Sequence, residues 1–264
     1  RPWHASGVRR RQRVSKLQAK TIAFAKGKGF LRYAHVNDVC RRTRRSRDAP
    51  QAARPGAFTL GIRMTLRVAI YIFPEVEVLD FAGPFEVFTT ATRVHRRRNP
   101  GSEPPFETFT VARSSAPVQA RAGLRAVPDY TLESASVPDL LVVPGGVVDR
   151  ELQDPHLLRW VVQVSQSAKV IASVCTGSFV LAKAGLLSGK AATTHWEDIA
   201  DLRTQFPELV VREGVRWVDE GTIVTSAGIA AGIDMSLHLV KRFAGSELAQ
   251  ATARQMDVPF RTEA

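Results

Sequence analysis

Apolar runs of strand length begin at residue 66 and alternate with segments in which apolar positions recur every three or four residues. Three runs, at residues 66–73, 140–143 and 169–173, are nearly uninterrupted, which is typical of parallel strands covered on both faces. Shorter strands are predicted at residues 106–112, 118–126, 191–194, 210–211, 216–219 and 223–226. A first helix is predicted to end at about residue 94, before a polar loop at residues 95–105. Further helices are predicted at residues 155–167, 179–184, 199–206, 232–243 and 246–256. This alternation predicts an α/β fold with a mostly parallel sheet between helical layers.

The apolar run VIASVCTG, at residues 170–177, ends at Cys175 and is followed by a helical pattern. A sharp turn from strand to helix lifts one side chain above the edge of the sheet and directs the first helical amides toward it. We expect this position to favour the thiolate, which is the reactive form of cysteine. Cys175 is therefore the candidate nucleophile. The alternative is a small buried side chain that serves only in packing.

Other polar residues and glycines follow the remaining predicted strands. In a parallel sheet, ligands bind at the carboxyl ends of the strands. The candidates at that edge are Glu77 and Asp80, Gly145 and Gly146, Cys175 and Thr176, and His195. We expect these side chains and backbone groups to converge on one site.

Asp80 lies in the apolar segment LDFAG, where an unpaired charge would be costly. It either caps a helix that starts near Phe81, or it faces the pocket and exchanges a proton with Cys175 or with the substrate. The second interpretation is favoured, and one carboxylate can do both.

Gly145, Gly146 and Thr176 are candidates for binding the reacting group. The glycines allow the backbone to approach a ligand closely and to add an amide to an oxyanion hole. Thr176 offers its backbone N–H, or its hydroxyl, to an anion that forms beside the sulfur. The alternative is that the glycines form only a turn and that Thr176 only caps the helix.

His195 is a candidate general base for Cys175, although a structural hydrogen-bonding role is favoured for a histidine between Thr194 and Trp196. No Cys/His pair has the spacing of metal ligands along the chain, so neither a metal site nor a cofactor is predicted.

The charge of the chain is concentrated in its first 63 residues. These carry 17 Lys or Arg and two acidic residues, a net charge of +15, which leaves −3 of the total +12 for residues 64–264. Such a segment cannot bury enough apolar surface to fold, so residues 1–63 are predicted to be a disordered leader and residues 64–264 the α/β domain. The leader is interpreted as lying outside the working protein, because Met64 directly precedes the first strand; a nucleic-acid-binding arm and a transit peptide are the alternatives.

The two cysteines, Cys40 and Cys175, do not suggest a disulfide framework, so a reducing cytoplasm is the expected location. No apolar run approaches the roughly 20 residues that span a membrane, and no membrane association is predicted.

Four blocks resemble the ThiJ/PfpI family of class I glutamine-amidotransferase-like proteins, within it the isonitrile hydratase-like branch. They are VEVLDFAGPFEVF from residue 76, LLVVPGG from residue 140, ASVCTGSFVLAKAGLLSGKAATTHW from residue 172 and TSAGIAAGIDMSLHLV from residue 225. The resemblance implies a flavodoxin-like sandwich with a nucleophile elbow, a homodimer and a small-molecule substrate. It also implies that Cys175 attacks an isonitrile carbon with help from Asp80 and Thr176, and that water then releases an N-substituted formamide.

Other members of the family suggest other functions. A cysteine peptidase is disfavoured because Thr176, rather than histidine, follows Cys175, and a glyoxalase or deglycase is disfavoured because Asp80 stands where those enzymes carry glutamate. A ligand-sensing or oxidation-sensing protein linked to transcription or stress is the main alternative. With residue 264 as the end of the chain, we expect any contact with nucleic acid to fall to the basic leader.

Overall fold

The computed structural model describes residues 65–263, so the predicted leader and Cys40 lie outside the described residues. The strands are β1 (Leu66–Tyr71), β2 (Phe106–Ala112), β3 (Val118–Gln119), β4 (Arg125–Ala126), β5 (Tyr130–Thr131), β6 (Leu140–Val143), β7 (Val170–Val174), β8 (Ala191–Ala192), β9 (Val210–Val211), β10 (Trp217–Asp219) and β11 (Ile223–Ser226). The helices are α1 (Val78–Arg98), α2 (Asp149–Leu152), α3 (Pro155–Ser165), α4 (Gly177–Lys183), α5 (Ile199–Gln205), α6 (Ala231–Ala244) and α7 (Ser246–Met256), with 3₁₀ turns at Arg121–Gly123 and Trp196–Asp198.

Seven strands form one sheet in the order β10, β11, β7, β6, β1, β2, β5. Neighbouring strands in it are parallel except for the pair β10 and β11. The strands β3 and β4 form a separate antiparallel pair, and β8 and β9 form a separate parallel pair. The predicted α/β fold with a mostly parallel central sheet is therefore confirmed.

Every residue of β6 and β7 is buried, so both faces of the sheet centre are covered. Helices α1, α6 and α7 pack against one another, and α2, α3 and α4 form a second packed group. Within residues 65–263, none of the helices combines the length and the apolar character that crossing a bilayer requires.

The register of the central strands brings three loops to one place. Val143 of β6 pairs with Ser173 of β7, and Val174 of β7 pairs with Ser226 of β11. The residues that follow these strands therefore leave the sheet at the same level, with Cys175 between the other two loops.

Helix α1 continues to Arg98, so the prediction of a loop from residue 95 was wrong. The basic residues of its last turn were interpreted as part of a loop because of their polarity. Positive side chains at the end of a helix instead interact favourably with its negative C-terminal dipole. The helix ends where the Asn99 backbone N–H donates to the His95 carbonyl oxygen.

The predicted strand at residues 118–126 is a small hairpin. The chain reverses at Ala122 and Gly123, which both have a positive φ, and Val118 then pairs with Ala126. The short elements β5 and α2 were not predicted, because two and four residues are too few to show a periodicity.

The strand observed before His195 also differs from the predicted one. Strand β8 has only two residues and pairs with β9, outside the main sheet. His195 therefore reaches the main sheet from a peripheral strand.

We expect Gly177→Ala to destabilise the protein by about 1–3 kcal/mol, the usual cost of overpacking. A Cβ at this position would collide with the carbonyl oxygen of Val143, where α4 packs on β6. A glycine-to-alanine change in an open helix would instead stabilise by roughly 1 kcal/mol. Urea unfolding measures the sign, and a raised midpoint would contradict the close packing.

Candidate active site

Cys175 occupies a tight corner between β7 and α4. Its φ of 55° lies in the left-handed region, which costs a non-glycine residue about 1–2 kcal/mol. The backbone is held from both sides: Cys175 N–H donates to the Ser226 carbonyl at 3.1 Å, and the hydroxyls of Thr194 and Ser178 donate to the Cys175 carbonyl at 2.9 and 3.1 Å. The predicted sharp turn from strand to helix is therefore present.

A cavity of about 270 Å³ opens above this corner. Its walls are formed by Glu77, Arg121, Gly146, Cys175, Thr176, His195, Glu197, Asp198 and Ile229. Five of the predicted site residues, Glu77, Gly146, Cys175, Thr176 and His195, therefore line one cavity. Asp80 and Gly145 lie behind this wall.

Asp80 is fully buried in the first turn of α1. It does not cap the helix, as one interpretation proposed, because the helix begins at Val78 and Asp80 Oδ2 instead accepts a hydrogen bond from the Gly145 amide at 3.1 Å. The other oxygen, Oδ1, is buried and has no hydrogen-bond partner. Asp80 interacts with the thiol of Cys175.

Burial raises the pKa of Asp80 to about 7, although the hydrogen bond from Gly145 acts in the opposite direction. Near neutral pH this carboxyl group can therefore both accept and donate a proton. That is the property required of a general acid and base.

The expectation that the corner favours a thiolate was wrong for the free protein. Burial raises the pKa of the Cys175 thiol, and the negative charge of Asp80 raises it further. A hydrogen bond from the Thr176 backbone amide lowers it but does not reverse the shift. Cys175 is therefore a neutral thiol beside a carboxyl group that can take its proton.

The two glycines hold their neighbours in place. Gly145 N–H is used by Asp80, and Gly146 N–H donates to the Thr176 hydroxyl at 2.9 Å. The same hydroxyl donates back to the Gly146 carbonyl at 3.0 Å. The glycine amides expected in an oxyanion hole are thus already engaged, and the Thr176 hydroxyl does not cap α4.

Glycine is nonetheless required at both positions. A Cβ on Gly145 would lie 2.7 Å from the backbone nitrogen of Thr176, and Gly146 has a φ of 139°. The loop after β6 therefore lies directly against the Cys175 corner because it has no side chains.

His195 lies on the opposite wall, next to two carboxylates. Its Nδ1 is 3.6 Å from Asp198 Oδ2 and 3.7 Å from Glu197 Oε2. The ligand atoms of Cys175, His195 and Asp198 all lie within 4.8 Å of one another. The structure thus brings His195 to the sulfur, as predicted.

The sequence matches the model of the DJ-1/PfpI family over residues 66–242. The chain belongs to the DJ-1/PfpI family. The isonitrile hydratase of Pseudomonas putida is 35% identical over 195 residues, which cover 74% of this chain and 79% of that protein. The HTH-type transcriptional regulator CdhR of Pseudomonas aeruginosa is 31% identical over 184 residues, and this match covers 70% of the chain but only 52% of the regulator.

The fold of this DJ-1/PfpI protein also matches solved structures. The crystal structure of a ThiJ/PfpI family protein from Pseudomonas syringae superimposes with a TM-score of 0.65 at 27% identity, and the match covers 81% of this chain and 84% of the other. The resemblance to the ThiJ/PfpI family and the flavodoxin-like fold that it implied are therefore confirmed.

Several residues at the site were not predicted from the sequence. A Cβ at Gly228, which follows β11, would lie 2.8 Å from both Cys175 Sγ and His195 Cδ2, so this glycine makes room for both side chains. Asp198 lies three residues after His195. This spacing would have identified Asp198 as a neighbour of His195 if the 3₁₀ turn there had been predicted. Arg121 reaches the cavity from the hairpin that was predicted as a single strand, and Ile229 reaches it from the loop between β11 and α6.

Asp80→Asn should remove part of the pH dependence of stability. The pKa of Asp80 is raised on folding from an unfolded value of about 4, so wild-type stability falls as pH rises from about 4 through about 7. Asparagine does not ionise and can still accept the Gly145 hydrogen bond. We expect the variant to gain on the order of 2–4 kcal/mol relative to wild type between pH 5 and pH 8.

Urea unfolding across that pH range measures this difference. An offset between the two proteins that stays constant with pH would contradict the raised pKa. Asp129→Asn is a suitable control, because Asp129 is an exposed carboxylate that accepts hydrogen bonds from Thr110.

Proposed function

We propose that this DJ-1/PfpI protein adds water to a small electrophile through Cys175, and that the substrate is an isonitrile, which is converted to an N-substituted formamide. The observation that carries the proposal is a fully buried carboxyl group, Asp80, which raises the pKa of the Cys175 thiol behind a small cavity. The similarity to the isonitrile hydratase of Pseudomonas putida supports the choice of substrate.

The first step joins the sulfur to the terminal carbon of R–N≡C. Asp80 takes the thiol proton as the S–C bond forms, and the protonated Asp80 then gives that proton to the same carbon. The product is a thioimidate, R–N=CH–S–Cys175. In this scheme the neutral thiol of the free protein is an advantage, because the proton that the carbon needs is already present.

The second step releases the formamide. Water adds to the thioimidate carbon, the nitrogen takes up a proton and the C–S bond breaks, which gives R–NH–CHO and restores the thiol. Over both steps one water molecule is consumed, and no redox change occurs. We assign the proton transfers of this step to Asp80 as well.

Thr176 has two roles in this proposal. Its backbone amide stabilises the sulfur as negative charge develops there, since this amide already donates to Cys175. Its hydroxyl holds the Gly146 loop at the cavity wall through the paired hydrogen bonds with Gly146. His195 lines the cavity as a substrate contact.

The cavity suits a small molecule with an apolar substituent. Its volume of about 270 Å³ is near the lower end for ligand pockets. Ile229 lines it, and two exposed apolar side chains, Val147 and Trp196, are adjacent in sequence to the lining residues Gly146 and His195. We propose that these side chains contact the R group of the isonitrile.

Ligand sensing is the second candidate function. It is favoured by the match to the regulator CdhR, of which the chain spans about half the length. A sensor would use the same cavity for binding without turnover. The two functions therefore differ in whether a small ligand is consumed.

We expect the full chain to convert cyclohexyl isocyanide to N-cyclohexylformamide. Chromatography of the reaction mixture measures the product. Cys175→Ala should abolish turnover because the nucleophile is lost. Asp80→Asn should lower kcat by about 10²–10⁴-fold, the usual contribution of a general acid or base. Absence of turnover by the parent protein would refute the hydratase proposal.

Cys40→Ala is the matched control, since it removes the other cysteine of the chain. This variant should retain parental activity. If it instead lost activity while Cys175→Ala remained active, the nucleophile would be assigned to the wrong cysteine. Saturable binding of the isocyanide without product would favour the sensor.

A further inference from the structure

One wall of the cavity brings together a thiol, an imidazole and a carboxylate. Cys175, His195 and Asp198 each direct one ligand atom into a region where all three atoms lie within 4.8 Å of one another. We propose that these three side chains bind a thiophilic divalent cation, with Zn²⁺ as the best match. Metal binding differs from the proposed hydration, because the Cys175 sulfur would act as a metal ligand and not as a nucleophile.

The ligand set fits zinc in type and in charge. Cysteine sulfur, histidine nitrogen and aspartate oxygen are the three ligand classes that Zn²⁺ uses in proteins. A thiolate and a carboxylate together neutralise the two positive charges of the ion, and the imidazole binds as a neutral ligand. Binding releases the thiol proton to solvent, so that Cys–SH and Zn²⁺ give Cys–S–Zn⁺ and H⁺.

The distances require only small side-chain adjustments. Zinc–ligand bonds of about 2.0–2.3 Å in a tetrahedron place neighbouring ligand atoms about 3.4–3.6 Å apart. The separation of 3.6 Å between His195 Nδ1 and Asp198 Oδ2 already has that value. The distance between the sulfur and this pair then needs to shorten by about 1 Å at most, which rotation of the partly buried His195 and Asp198 side chains can supply.

The backbone fixes all three ligand positions. Cys175 is held at its corner by hydrogen bonds from Thr194 and Ser178. His195 and Asp198 belong to one 3₁₀ turn, in which the Asp198 N–H donates to the His195 carbonyl at 3.0 Å. The entropy cost of gathering the ligands is therefore largely met when the chain folds.

The surroundings also favour a cation. Two further carboxylates, Glu77 and Glu197, line the cavity, and Arg121 is the opposing positive charge, 3.7 Å from Glu77. All three proposed ligands line the same opening, so a fourth coordination position faces the cavity. Three protein ligands and one open position are typical of accessible zinc sites.

If the proposed hydration by Cys175 holds, metal binding inhibits it, because a zinc-bound sulfur cannot attack an isonitrile carbon. The cavity would then respond to the free concentration of thiophilic cations. This consequence rests on the proposed function, whereas metal binding itself does not.

Cobalt(II) is the probe for the test, because a cysteine thiolate bound to Co²⁺ gives a charge-transfer absorption in the near ultraviolet. The experiment uses the full chain with Cys40→Ala, so that Cys175 is the one cysteine present. We expect a saturable band with one Co²⁺ per chain, which Zn²⁺ abolishes by displacement. A protein that shows no such band overturns the proposal.

Variants then identify the ligands. Cys175→Ser should remove the band, and His195→Ala and Asp198→Asn should each weaken Co²⁺ binding by at least 10-fold. Asp201→Asn is the matched control, because Asp201 is an exposed carboxylate three residues after Asp198 that does not line the cavity, and it should change the affinity by less than about 3-fold. Unchanged affinity in both His195→Ala and Asp198→Asn refutes the site, and circular dichroism confirms that each variant is folded.

The spectra do not depend on turnover, so the two proposals fail separately. Formamide production without a cobalt band would refute only the metal site. A cobalt band without formamide production would refute only the hydratase.

Discussion

The register between β6, β7 and β11 is the constraint on which the site depends. It ends three neighbouring strands at one level, so that the PGG loop, the Cys175 corner and the loop with Gly228 leave the sheet side by side. A shift of one residue in any of these strands would reverse which face each side chain occupies. The unfavourable φ of Cys175 is tolerated because its backbone donates a hydrogen bond to the adjacent strand and accepts hydrogen bonds from Thr194 and Ser178.

Absence of side chains is as important here as their presence. Gly145 and Gly228 lie on either side of Cys175, and a methyl group on either one would come within 2.8 Å of its Cβ or Sγ. The sulfur is thus enclosed by backbone, and the polar groups near it are few and specific. Desolvation follows from this packing, and it makes the thiol neutral and brings the pKa of Asp80 to about 7.

Strands and helices with long hydrophobic patterns were predicted from the sequence, and so were the candidate site residues that follow the strands. Uninterrupted apolar runs identified β1, β6 and β7, and the residues after these strands included Asp80, Gly146 and Cys175. The pattern did not reveal the contacts set by three-dimensional packing. Nothing in a sequence shows that the Gly145 amide is committed to Asp80, and the distance of 20 residues between Cys175 and His195 concealed a cluster that spacing rules for metal ligands do not describe. Desolvation by the surrounding chain was likewise hidden, which is why the thiol was expected to be more acidic than it is.

Asp80 is fully buried and does not form part of the cavity wall. Its exchange of protons with solvent therefore has to pass through Cys175 or wait for a local opening of the structure. In the proposed hydration, a covalent adduct at the sulfur would close that direct route, so the carboxyl group would keep the proton it received until the adduct accepts it. Under that proposal, the burial of one carboxyl group would isolate a single proton together with a single reaction intermediate and would keep bulk buffer from competing for either.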